Sequence, residues 1–90
     1  MLLNKCKGTV IMNIAIERII GRNLRRLREE AGLTQELLAA KLQINGCDIT
    51  RSAVAKIEVG QRHLYVDEII LIAKILGIGY EKLLSIAPEK

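Results

Sequence analysis

A segment near the middle of the chain, Thr50 to Gly60, carries small and basic side chains at helical spacing. Arg51 and Lys56 are long enough to reach the base edges of DNA, and an arginine can donate two hydrogen bonds to O6 and N7 of guanine. Ser52 and Ala55 are small, so they allow the helix backbone to approach a groove closely. The combination indicates base recognition in DNA, and the alternative is an exposed polar helix surface.

Catalytic and metal-binding chemistry find little support in the sequence. Cys6 and Cys47 are far apart, and neither a CxxC motif nor a cluster of acids accompanies them, so the usual zinc spacings are absent. The single histidine, His63, has no nucleophile with sequence support as its partner. We therefore expect neither an enzyme nor a metal or other cofactor. Two free thiols in a cysteine-poor chain are typical of a reducing compartment, the cytoplasm.

Composition predicts one helical domain with an affinity for polyanions. The 90 residues suffice for a single core, which must be built from aliphatic side chains because Phe and Trp are absent. Residues 1–62 hold 11 of the 14 Lys and Arg against 6 acids, whereas residues 63–90 hold 3 against 4. Positive charge concentrated in one part of a small domain favours nucleic acid or an anionic membrane surface. The apolar runs are too short or too interrupted to span a membrane.

Hydrophobic periodicity and turn residues predict helices throughout the body of the chain. Helix one carries an apolar stripe and ends at Gly32, Thr34 caps helix two, and Thr50 caps helix three, which Gly60 stops. The predicted stripe of helix one is Ile16, Ile20, Leu24, Leu27 and Ala31. The later helices are predicted over Gln35–Leu42, Arg51–Val59, Val66–Leu76 and Glu81–Ser85. The segment Gln43–Ile49 is predicted as a loop.

The fourth predicted helix has apolar residues on two sides. Its core face is assigned to Val66, Ile69, Ile70, Ala73 and Leu76. Leu71 and Ile75 then lie one turn apart on the opposite side, where they belong to the core only if the helix is tilted. The other interpretation is that they form the interface of a homodimer.

The domain is expected to span residues 14–87. Residues 1–13 are interpreted as a poorly ordered extension and residues 88–90 as a tail. The apolar stretch at residues 8–16 contains Asn13 and lacks a small-residue cleavage site, so it does not match a targeting signal.

Three separated blocks of the sequence resemble the XRE family, the helix-turn-helix group of phage lambda repressor and Cro. The blocks are Ile20–Arg28, Ala31–Gln35 and Arg51–Gly60, and Ile69–Leu84 is similar to the last two helices of that family. The resemblance implies an all-α, compact five-helix lambda repressor-like bundle whose second and third helices form the helix-turn-helix.

The resemblance also implies a role for each matching position. The base-reading positions are Thr50, Arg51, Ser52 and Lys56, which Ala55 joins because of its size. Contacts to the DNA backbone are expected from Gln35, Gln61 and Arg62, with His63 near the phosphates. Arg28 and Glu58 match a structural ion pair between helices one and three. The turn between helices two and three is about five residues longer than is usual in the family, and it either projects into solvent or touches the DNA backbone.

These observations predict a sequence-specific transcription regulator, expected to be a repressor, that binds a palindromic DNA operator as a homodimer. The expected source is a bacterium or a phage, and the expected location is the cytoplasm. Neither a membrane nor a small-molecule ligand is expected as a partner. The alternative function is an antitoxin-like protein-interaction module with the same fold, which would need a segment that wraps its partner, and only the two chain ends are available for that.

Overall fold

The computed structural model describes residues 13–86, and this part of the chain consists of five α-helices without a strand. The helices are α1 (Ile14–Glu30), α2 (Gln35–Ile44), α3 (Arg51–Glu58), α4 (Val66–Leu76) and α5 (Tyr80–Leu84). The predicted all-α, five-helix fold is therefore confirmed. Apart from Asn13, the predicted extension and the predicted tail lie outside the described residues. Within residues 13–86, no helix combines the length and the apolar character that crossing a bilayer requires.

Side-chain caps begin the two helices of the central pair. The hydroxyl of Thr34 accepts the N–H of Leu37 at 3.0 Å, and the hydroxyl of Thr50 accepts the N–H of Ala53 at 3.1 Å. Each cap satisfies a backbone donor that has no partner within the helix. After α3, Gly60 adopts a φ of +81°, the left-handed conformation that stops a helix. Both predicted caps and the predicted stop are confirmed.

The core is one cluster of aliphatic side chains to which all five helices contribute. Its fully buried members are Leu24, Leu27, Leu38, Ala39, Leu42, Ile49, Val54, Ile57, Leu64, Ile72 and Leu83. Ile49 and Leu64 come from the linkers directly before and after α3. Because α3 is anchored on its inner side and through both linkers, its outward side is held in a fixed position.

Helix α1 crosses the end of α3 at very short range. A Cβ atom built on Gly21 would lie 2.7 Å from the carbonyl oxygen of Glu58 and closer still to that of Ile57. A side chain has no room at this point, so glycine allows the backbone of α1 to touch the last turn of α3. This contact sets the distance between the two helices.

The turn between α2 and α3 is shorter than predicted. Helix α2 continues to Ile44 instead of ending at Leu42, and residues 45–50 connect it to α3. Ile49 is buried in the core, and its carbonyl oxygen accepts the side-chain N–H of Gln43 at 2.8 Å. The connection is therefore held to the domain at Ile49, while Asn45, Gly46 and Asp48 are exposed.

The structure corrects the predicted orientation of α4. Ile72 faces the core, whereas Val66 and Ile70, which were predicted to be buried, are 71% and 56% exposed. Leu71 and Ile75, which were predicted on the solvent side, are half-buried and pack against the core. The helix is rotated about its axis relative to the prediction, so its free apolar surface lies on a different side.

A buried acid explains this rotation. Glu68 is buried on the core side of α4, where its carboxylate accepts hydrogen bonds from Arg62 and from the backbone N–H of Tyr65. A helical pattern based on hydropathy places Glu68 on the solvent side, and the predicted orientation of α4 is then wrong. The ion pair satisfies the charge of Glu68 and makes the observed orientation possible.

Candidate nucleic-acid interface

Helix α3 has one buried side and one side open to solvent. Val54 and Ile57 are buried, and Glu58 is buried at the last turn. The outward side carries Arg51, Ser52, Ala55 and Lys56, of which only Ala55 is half-buried. Thr50, at the cap, is exposed beside them. The structure thus brings all five predicted base-reading residues to one surface, which is mostly polar and basic and also includes Val59, 55% exposed at the end of the helix.

The carboxylate of Glu58 joins α3 to both preceding helices. Arg28 of α1 donates to it from Nε at 2.6 Å and from Nη2 at 3.0 Å, and Gln35 of α2 donates from Nε2 at 2.9 Å. The remaining Nη1 of Arg28 donates to the carbonyl oxygen of Leu33 at 2.7 Å. The hydrogen bond to Glu58 raises the pKa of the Arg28 guanidinium above its ordinary value. Three helices are therefore fixed around one buried charge pair.

An open polar groove runs beside the first residues of α2 and α3. Gln35 lies in its wall, next to the buried ion pair, while Arg25 and Arg51 come from the helices on either side. Backbone N–H groups at the start of a helix and nearby guanidinium groups both favour an anion. Glu36 lines the groove as well, but the arginines outnumber it, so Gln35 lies where a contact to a phosphate is chemically suitable.

The loop after α3 is held by Arg62 rather than open to a ligand. The Arg62 guanidinium donates to both carboxylate oxygens of Glu68, at 2.9 and 3.0 Å, and to the carbonyl oxygen of His63 at 2.9 Å. It also lies 5.6 Å from the centre of the Tyr65 ring. The hydrogen bond to Glu68 raises the pKa of Arg62. Sequence reasoning assigned Arg62 to DNA phosphates and missed this contact, because it could not place Glu68 in the interior.

His63 is bound within the protein as well. Its Nδ1 lies 2.7 Å from a carboxylate oxygen of Glu17, near the start of α1, and its ring meets Tyr65 edge to face at 5.0 Å. The side chain of Gln61 is exposed and forms no hydrogen bond within residues 13–86, while its backbone N–H donates to the carbonyl oxygen of Lys56 at 2.8 Å. Of the three predicted loop contacts, Gln61 is the one whose side chain has no polar partner in the described part of the chain.

Residues 13–86 hold no group of three or more His, Cys, Asp or Glu side chains arranged to bind a metal ion. Cys47 in this part of the chain is a free thiol, and burial raises its pKa. A raised pKa makes the thiol less reactive near neutral pH, because the thiolate is the nucleophilic form.

A family model described as helix-turn-helix matches residues 24–83, two thirds of the chain, from the middle of α1 into α5. The chain belongs to the helix-turn-helix family of the XRE type. This helix-turn-helix protein is therefore a DNA-binding transcription regulator, with α2 and α3 as its helix-turn-helix. The predicted resemblance is confirmed.

Two solved structures are similar to the helix-turn-helix protein. The DNA-binding domain of BldD matches with a TM-score of 0.70 at 24% identity, over 82% of this chain and 100% of the other. The restriction-modification controller protein C.AhdI from Aeromonas hydrophila matches with a TM-score of 0.69 at 34% identity, over 81% and 99%. No curated protein matches the sequence significantly. The likeness to BldD supports the fold, and the likeness to C.AhdI also supports the family.

Proposed function

We propose that this protein is a sequence-specific repressor that binds a palindromic operator as a homodimer and reads the major groove with α3. The observation that carries the proposal is the outward side of α3, where Arg51 and Lys56 stand beside the small residues Ser52 and Ala55. A helix about 10–12 Å across fits a major groove about 12 Å wide. Because the core and the Glu58 contacts fix α3, its side chains meet the bases without prior ordering.

Base contacts and backbone contacts have different tasks in this proposal. Arg51 and Lys56 select the sequence, with Thr50 and Ser52 as hydrogen-bonding groups at the groove edge. Gln35 and Gln61 bind phosphates before and after α3 and set its position along the groove. In this proposal Arg62 and His63 are positioning residues: the ion pair of Arg62 with Glu68 and the contact of His63 Nδ1 with Glu17 hold the loop that presents Gln61.

The dimer interface in this proposal lies on the exposed apolar side of α4 and α5, which differs from the side predicted from the sequence. Leu71 and Ile75 pack against the core, so they offer little free surface. The exposed apolar side forms a shallow cleft lined by Val66, Ile69, Ile70, Tyr80 and Leu84. A second copy of the chain is the occupant that a palindromic site demands, since two identical half-sites require two identical reading helices about one DNA turn apart.

The name of C.AhdI describes a controller protein, and its 34% identity over most of this chain supports a regulatory role here. A protein that binds operators in a bacterium or a phage-infected cell acts in the cytoplasm, and we include that location in the proposal. Repression follows if the operator overlaps a promoter, because a bound dimer then excludes the polymerase.

The test is selection from a randomised duplex pool, followed by fluorescence-anisotropy binding at two salt concentrations. Wild type is expected to enrich a palindrome, and Arg51→Ala and Lys56→Ala are expected to lose that choice while keeping weak, salt-sensitive binding. A reporter with the enriched site across its promoter is expected to be silenced by wild type and not by Arg51→Ala. Enrichment of no sequence would overturn the proposal and direct the search to a protein partner.

A further inference from the structure

Two arginines on α1 carry positive charge that nothing in the described part of the chain neutralises. Arg18 and Arg22 are exposed and lie one helical turn apart. Within residues 13–86 neither guanidinium forms a hydrogen bond or an ion pair, whereas Arg25 pairs with Glu29 at 3.1 Å on the same helix. Like charges at this spacing destabilise a helix. An external anion is therefore the partner that fits the pair.

The position of these arginines relative to α3 identifies the anion. Each residue of a helix turns by about 100°, so the order of side chains around α1 follows from the sequence. Leu24 faces the core and Gly21 faces α3. Around the axis of α1, the rotation that leads from Leu24 to Gly21 leads on to Arg18. Arg18 and its neighbours thus flank α3 on the solvent side, the side that carries the base-reading residues.

The row of arginines extends along the length of α3. At one end, the side-chain stem of Arg18 covers Gly60, directly after α3. At the other end, Arg25 shares a groove with Arg51, the first residue of α3. Arg22 lies between them on the same flank. Three guanidinium groups at successive turns of α1 therefore follow the reading helix from its end to its start.

We infer that Arg18 and Arg22 bind the sugar–phosphate backbone at the edge of the major groove that α3 enters. The inference rests on the proposed function. Packed helices lie about 8–10 Å apart, and the contact at Gly21 keeps α1 and α3 at the close end of that range. With α3 in a groove about 12 Å wide, the flank of α1 then stands over its rim, where the phosphates lie. Guanidinium groups suit phosphate because their donors match its oxygens.

The experiment compares two double variants that each remove two positive charges. Arg18→Gln with Arg22→Gln changes the proposed row and keeps the side-chain stem on Gly60. Lys74→Gln with Lys82→Gln changes two exposed residues of α4 and α5, helices that carry none of the predicted base-reading residues. Both are titrated with the enriched operator and with a random duplex over a series of salt concentrations. Circular dichroism and thermal unfolding verify that both variants fold.

For the arginine variant, the slope of log K against log salt is expected to become shallower by about 0.9 for each phosphate that a protomer no longer binds. Affinity is expected to fall about equally for the operator and for the random duplex. Ethylation of phosphates that flank the base pairs read by α3 is expected to interfere with binding of wild type and no longer with binding of the arginine variant. A slope equal to that of the lysine variant would overturn the inference. Because the operator must still be selected in that case, this outcome is distinguishable from failure of the proposed function, in which wild type selects no sequence.

Discussion

The guanidinium of Arg28 and the carboxylate of Glu58 form two hydrogen bonds, of 2.6 and 3.0 Å, between residues that are 30 positions apart in the sequence. Both side chains are buried, and Gln35 adds a third donor to the same carboxylate. The pair fixes the last turn of α3 to α1 and to the start of α2. The reading helix and the groove beside Gln35 are thus positioned by one interaction.

Breaking this pair from one side is expected to be costly. Glu58→Gln leaves the Arg28 charge buried without its partner, and we expect a loss of about 3–5 kcal/mol in the free energy of unfolding. The double variant Arg28→Met, Glu58→Leu removes both charges and is expected to recover most of that loss. Urea unfolding of wild type and the variants measures both values. A double variant as unstable as Glu58→Gln would show that more than charge burial is involved.

Gly21 is expected to tolerate no side chain. In most exposed helix interiors, replacing Gly by Ala stabilises by about 0.5–1 kcal/mol. Here the new Cβ would meet the carbonyl oxygens of Ile57 and Glu58, so we expect Gly21→Ala to destabilise by about 1–3 kcal/mol instead. Thermal unfolding gives the sign, and operator binding by the folded fraction reports any shift of α3. A stabilised Gly21→Ala variant would contradict the close contact.

Glu68 makes the stability of the fold depend on pH. Burial raises the pKa of its carboxyl, but the hydrogen bonds from Arg62 and from the N–H of Tyr65 outweigh burial, so the pKa lies below its ordinary value of 4.5. The unfolded chain then binds the proton more readily than the folded one. This contribution to stability is complete above about pH 4.5 and is lost as the pH falls through the folded-state pKa.

Arg62→Met is the variant that tests this linkage. It is expected to destabilise by about 1–3 kcal/mol at neutral pH, because the buried carboxylate loses its charged donor. Its further loss of stability on acidification is expected to be smaller than that of wild type, since the N–H of Tyr65 then opposes the effect of burial on Glu68 without the guanidinium. Thermal unfolding between about pH 7 and about pH 3 measures both effects. Arg22→Met, at an exposed position of α1 where the arginine has no polar partner within residues 13–86, is the control and should follow wild type.

Local sequence patterns suffice for several features of the fold. Thr34, Thr50 and Gly60 act through their own backbone neighbourhood, so the limits of α2 and α3 were readable at these points. The outward side of α3 was readable too, because Val54 and Ile57 define its buried side clearly. The family blocks added the pair of Arg28 and Glu58, which no local pattern gives.

The errors arose where a distant partner decides the outcome. Six of the eight residues from Ile69 to Leu76 are aliphatic and a seventh is Ala, so nearly every side of α4 is apolar. Hydropathy therefore does not determine which side of α4 faces the core. The partner that decides it, Arg62, lies in the preceding loop and draws Glu68 inward. The same ion pair gives Arg62, for which a phosphate contact is predicted, a partner inside the protein that the sequence does not reveal. The sequence alone does not indicate whether an arginine such as Arg62 pairs with an acid inside the protein or with a phosphate outside it.

The apolar side of α4 is expected to control self-association. Val66→Glu with Ile70→Glu introduces charge on the exposed cleft and is expected to convert a dimer to a monomer without loss of helix content, as measured by sedimentation velocity and circular dichroism. Ile14→Glu with Leu37→Glu changes two other exposed aliphatic residues and should leave the dimer intact. Leu71→Glu with Ile75→Lys is expected to lower the melting temperature, since both residues pack on the core. A dimer that survives the first variant would remove this face from consideration.

The small size of Ala55 is expected to matter for reading DNA and not for folding. Ala55 is half-buried at the middle of the outward side, so the extra atoms of a leucine can extend into solvent in the free protein. In the complex those atoms would hold the backbone of α3 away from the bases and lengthen the reach required of Arg51 and Lys56. We therefore expect Ala55→Leu to melt close to wild type while its preference for the operator over random duplex falls by about the 1–3 kcal/mol that one base contact contributes. Leu37→Ala, on α2, is the matched control with unchanged preference. If Ala55→Leu kept full preference for the operator, α3 would have to lie farther from the bases than the proposed docking allows.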